Sequence, residues 1–135
     1  MCIRDSLIGF SQGIPLYADE QASFFNRLSI NKYNSFSDDV IGAAKFYAAS
    51  VIAIDQDVRI SKRLHIPSKR LRGFERRKVG PLDGKDYVGG NYATALNLEA
   101  ALPNLLPEGT QTDIATFFDI GNLWHVDYDL SLIHI

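Results

Sequence analysis

The sequence predicts an all-β chain, antiparallel strands interrupted by one long loop. Three observations carry this. Segments 23–33, 88–102 and 111–121 alternate apolar and polar residues with a period of two, the mark of half-buried strands. Between the first and second lies a polar stretch from Asp55 to about Tyr87, broken by Pro67, Gly73, Gly80, Pro81 and Gly84. That is longer than an ordinary connection in a compact domain, and such loops are usually functional or disordered. Finally, no apolar run reaches the roughly 18 residues that a membrane helix needs.

The elements follow in chain order. In segment 23–33, Phe24, Leu28 and Ile30 fall on one parity, and Arg27, Ser29 and Asn31 on the other. Residues 34–39, rich in Asn, Ser and Asp, read as a turn. Segment 40–54 is ambiguous. Its alanines, with Asp39 before them, suit a capped helix, while its Val, Ile, Phe and Tyr suit a strand. In 88–102, Tyr92, Thr94, Leu96, Leu98 and Leu102 oppose Asn91, Ala93, Ala95, Asn97 and Glu99. Residues 103–110 read as a turn. In 111–121, Ile114, Thr116, Phe118 and Ile120 oppose Asp113, Ala115, Phe117 and Asp119; Gly121 ends the strand and residues 122–129 begin another loop.

The period alone leaves two folds open. A soluble sandwich turns its apolar faces inward. A membrane barrel turns them to lipid and its polar faces to the lumen. Tyr33, Tyr87, Tyr92, Trp124 and Tyr128 lie near strand ends, where they suit an interfacial girdle or ordinary aromatic packing.

The chain's 135 residues make one domain or a piece of one, and its net charge of −2 implies no bulk attraction to nucleic acid. The two ends are related: one back-translation of Met1–Ser6 is the reverse complement of one for Leu130–Ile135. Residues 1–6 and 130–135 are therefore read as translated sequencing adapter and set aside. The native segment is then 7–129. With the ends go Cys2, the only cysteine, and the zinc, disulfide and thiol readings that would rest on it.

Nothing left marks an enzyme, a metal or a cofactor. His65 and His125 lack ligand spacing. Asp38, Asp39, Asp83 and Asp86 read as turn acids. In segment 84–90 the lysine precedes the glycines, unlike a phosphate loop. The basic run that includes Lys69, Arg70, Arg72, Arg76 and Arg77 could meet polyanions, yet no recognition helix or RNA-binding motif accompanies it, and nucleic acid is not expected as a partner.

Four motifs then occur in order: Leu71-Arg72-Gly73-Phe74; Val88-Gly89-Gly90-Asn91; Leu98-Glu99 late in a strand; and Phe117-Phe118-Asp119-Ile120-Gly121-Asn122-Leu123-Trp124. Together they resemble the C-terminal barrel of the outer-membrane protein assembly factors, a family of barrels preceded by POTRA domains and also called bacterial surface antigens. The tetrapeptide alone is a weak signal. The ordered set is a strong one. The departures are small: Leu71 stands where the family has Val or Ile, and the loop is shorter than in some members.

The resemblance implies a partial antiparallel transmembrane β-barrel, about five strands of a barrel of about sixteen, with a long loop folded into the lumen. It makes segment 40–54 a strand. It places Arg72 at the loop tip against Glu99 and Asp119, with Gly73 allowing a tight turn or close approach and Phe74 plugging against the wall. It implies the bacterial outer membrane as location. The implied activity is folding and inserting other barrels, with nascent outer-membrane proteins, accessory lipoproteins and membrane lipid as partners. A related barrel serving secretion or another assembly route is the nearest alternative. A soluble or surface β-domain acting as a binding module is the alternative of another class. Five strands fall short of the eight or so that close a barrel, so the fragment alone is expected to have raw edges and no activity.

Overall fold

The computed structural model describes residues 6–13, 23–54, 57–103, 106–107 and 113–126. The terminal adapter reading, apart from Ser6, lies outside them, as do Tyr128 and most of the turn at 103–110. The described strands are β1 (Ser6–Gly13), β2 (Ser23–Ser37), β3 (Val40–Ala53), β4 (Leu82–Asp83), β5 (Asp86–Tyr87), β6 (Tyr92–Leu102) and β7 (Ile114–Trp124). Five of them form one antiparallel sheet in the order β1-β2-β3-β6-β7, and the sheet does not close on itself. It is a partial β-barrel.

The ambiguous segment is a strand: β3 pairs with β2 on one side and β6 on the other. Three boundaries differ from the sequence reading. Residues 34–37 continue β2, so the turn shrinks to Asp38 and Asp39, where the Ser37 hydroxyl accepts from the Asp39 N–H at 3.2 Å. Gly121 does not end β7, which runs on through Asn122, Leu123 and Trp124 because each pairs with β6. The strand expected from residue 88 begins at Tyr92.

Register settles which face each residue takes. One cross-strand row reads Ile8, Ile30, Phe46, Leu96 and Ile120. The adjacent row on the opposite face reads Leu7, Asn31, Lys45, Asn97 and Asp119. The apolar face is the bare one: Ile8, Phe10, Phe118 and Ile120 are each more than half exposed. The polar face is the covered one, because residues 57–91 fold back across it. The buried cluster forms between this loop (Val58, Leu64, Ile66, Leu71) and the sheet (Tyr47, Ala49, Val51, Ala93, Ala95, Leu123).

This is inverted relative to a soluble sandwich, where the apolar face would be inside. The small residues Ala49, Ala93, Ala95 and Gly121 make room for the loop. Strands of 11 to 15 residues (β2, β3, β6, β7) have the length a tilted membrane strand needs. Among the described residues no helix is long and apolar enough to cross a membrane. A tight turn joins β2 to β3 at one end and the long loop joins β3 to β6 at the other, the asymmetry of outer-membrane barrels.

Of the aromatic residues assigned to a girdle, Tyr92 and Trp124 face outward and stack with ring centroids 6.1 Å apart. Tyr33 shares the Glu99 row and faces inward, with Lys45 Nζ 6.0 Å from its ring centre. Tyr87 belongs to the small β4–β5 hairpin within the loop.

Candidate functional site

The loop leaves β3, makes two short 3-10 turns at Ile60–Lys62 and Ser68–Arg70, and reaches its tip at Arg72. A bridge between Leu64 and Gly90 ties its outgoing and returning arms, with backbone bonds of 2.9 and 3.1 Å in the two directions. Leu71, 5% exposed, packs on Gly121, where a Cβ would come within 2.9 Å of the leucine side chain. The tip lies deep. Glu99 is seven residues along β6 from Tyr92, roughly 23 Å of extended chain.

At that depth Arg72 meets both acids. Its Nε donates to Asp119 Oδ2 at 2.8 Å and its Nη2 to Asp119 Oδ1 at 2.7 Å, a bidentate fork. Its backbone N–H donates to Asp119 Oδ2 at 3.0 Å. Nη1 pairs with Glu99 Oε1 at 2.8 Å. The guanidinium also sits 4.0 Å from the Phe117 ring centre, a cation–π contact. Its bond to Asp119 is the largest of the effects that hold the Arg72 pKa above its ordinary value.

Asp119 is 3% exposed at its side chain, against 32% for Arg72. A carboxylate so buried needs its acceptor sites filled. Asn97, its cross-strand neighbour, does part of this. Its amide donates to Asp119 Oδ1 at 2.8 Å and to the Arg70 carbonyl at 2.7 Å. Lys45 donates to Glu99 Oε2 at 2.8 Å. The network thus links β3, β6 and β7 to the loop tip.

Gly73 takes φ +86, a left-handed conformation that glycine adopts freely, and nothing would touch a Cβ there. It serves the turn and not a close approach. Phe74 differs from its expected role: it is 59% exposed, and the apolar contact with the wall falls to Leu71. His65 lies beside Arg77, with Nε2 3.3 Å from Nη2, and His125 packs against the Tyr92 ring at 5.5 Å. Among the described residues no three His, Cys, Asp or Glu side chains converge as a metal site.

The sheet, its bare apolar face and this loop agree with the comparison against known families, where residues 6–131 match the Omp85 superfamily domain. The chain belongs to the Omp85 superfamily. No curated protein matches it. Omp85 proteins are outer-membrane barrels that work in protein insertion and secretion, and this chain carries part of such a barrel.

Sequence reasoning missed Lys45, Asn97 and Phe117. Lys45 is the sole charge within 40–54, an oddity that marks a lumen position once that segment is a strand. Asn97 and Phe117 share parity with Glu99 and Asp119, but only the register shows them as neighbours.

Proposed function

We propose that this chain is part of a BamA-type barrel, one that folds and inserts β-barrel proteins into the bacterial outer membrane. The observation that carries the reading is the bidentate Arg72–Asp119 pair, which fixes the loop tip on the inner face of an Omp85 sheet. No bond is made or broken in this work, and the chain needs neither cofactor nor metal for it. The barrel presents strand edges to an incoming chain, whose backbone groups pair with them as in β-augmentation. Such templating needs a wall that keeps its shape while a seam opens. Arg72, Gly73, Glu99 and Asp119 serve this by tying the loop to β6 and β7.

The partners of this activity are nascent outer-membrane proteins, accessory lipoproteins of the assembly complex and the lipid around the barrel; nucleic acid is not among them. The test is insertion by the full-length protein. It is reconstituted in lipid vesicles, and folding of an unfolded barrel substrate is followed by its gel mobility shift. Catalysed folding that slows in Arg72→Ala supports the reading. Normal folding by Arg72→Ala removes the role of the tip. Export of a partner without barrel insertion assigns the chain to the secretion branch.

A further inference from the structure

Beside the loop tip a cavity of about 420 Å³ opens between the loop and the inner face of the sheet. Lys45, Lys69, Arg70 and Arg72 line it, with Asn31 adding a neutral polar group and Glu99 the one carboxylate. That carboxylate is already engaged: one oxygen meets Arg72 and the other Lys45. Arg72 directs its remaining fork at Asp119. Lys69 and Arg70 therefore bring positive charge that the lining does not offset.

Arg70 is held in place. Its guanidinium lies 5.2 Å from the Tyr47 ring centre, and its backbone carbonyl accepts from Asn97. Yet its Nη1 is buried and has no hydrogen-bond partner among the described residues. An unpaired buried donor on a cation is costly, so the guanidinium gains by turning toward an acceptor in the cavity.

We propose that this cavity is an oxyanion site that takes a phosphate group between Arg70 and Lys69. The planar guanidinium presents paired N–H groups to two phosphate oxygens, and the ammonium adds a point charge. A phosphate monoester can carry two negative charges, matching the two unoffset cations, where a carboxylate carries one. The phosphate can be free or the headgroup of an anionic lipid.

Full-length protein, purified in neutral detergent without phosphate, is titrated with inorganic phosphate by calorimetry. The expected result is saturable binding that weakens with salt and falls roughly tenfold in Arg70→Gln and in Lys69→Gln. Lys69 is exposed, so its variant keeps the fold even if Arg70→Gln does not. Arg76→Gln, whose side chain lies outside this cavity, keeps the parent affinity. Vesicles of phosphatidylcholine with and without phosphatidic acid then identify the source: competition only by the mixed vesicles points to a headgroup, and none to free phosphate. Absence of saturable binding overturns the proposal. So does unchanged affinity in both variants, or binding of an acidic peptide but not of phosphate.

Discussion

The Arg72 guanidinium and the Asp119 carboxylate meet edge to edge, with bonds of 2.8 and 2.7 Å and a third of 3.0 Å from the Arg72 backbone. The carboxylate is nearly sealed from solvent and the guanidinium is not. The two ends of the pair therefore differ in what their loss costs. Arg72→Ala leaves a buried anion that has lost its countercharge and keeps only neutral donors among the described contacts, the Asn97 amide and the backbone N–H of residue 72. Removing the partner of a buried charge costs about 3–5 kcal/mol, and the exposure of the arginine brings this to about 2 kcal/mol. Asp119→Asn is milder, because no charge is left in the wall. Protease cleavage of the loop in the full-length protein should rise in both variants, and more in Arg72→Ala.

Asn97 joins the loop backbone to the acid. Asn97→Leu removes donors to Asp119 and to the Arg70 carbonyl and should cost about 1–2 kcal/mol. The cost should shrink in an Asp119→Ala background, where only the bond to the Arg70 carbonyl is left to lose. Thermal loss of the folded gel form measures both.

Gly121 is where the loop presses on the wall. Gly121→Val should lift Leu71 and expose the loop to protease without unfolding the strands. Adding Leu71→Ala should restore protection in part, since it empties the space the new side chain needs. Equal cleavage in the single and double variants would show that the contact does not govern docking.

His65 gives the loop a pH dependence. Burial first, and then Arg77, lowers its pKa below the ordinary 6.5, so the docked loop favours the neutral imidazole. The undocked chain binds the proton more readily. The contribution is thus full above pH 6.5 and is lost as pH falls through the lowered folded value. Loop cleavage should rise on acidification, and His65→Gln should flatten that rise.

An outer face that meets lipid should reject charge. Ile120 is 53% exposed in the row Ile30, Phe46, Leu96. Ile120→Arg should cost about 2–4 kcal/mol if it lies near mid-membrane. A full-length protein that inserts normally with this change would contradict the inverted arrangement.

How much of this was legible depended on contrast between faces. β6 and β7 could be read because Asn97, Glu99 and Asp119 stand on one parity against Leu96, Leu98 and Phe118. β3 could not, because the loop covers its inner face and places Ala49 and Val51 there while Ala44 and Ala48 lie outside. β1 is short and holds two glycines, so no pattern located it, although the family resemblance implied five strands. Tyr33 already shared parity with Arg27, Ser29 and Asn31, a signal that it faces inward. Register was beyond reach: nothing local sets Asn97 opposite Asp119 or Lys45 beside Glu99. Nor could local reasoning tell that Leu71, and not Phe74, meets the wall, since both are large apolar residues flanking the same turn.

The central claim is that Arg72 and Asp119 act as one unit in a working barrel. A double-mutant cycle on substrate folding by the full-length protein tests it most directly, with Arg72→Ala, Asp119→Ala and both together. The pair predicts that the double variant folds substrate no more slowly than the worse single one. Independent losses that multiply in the double variant would contradict it.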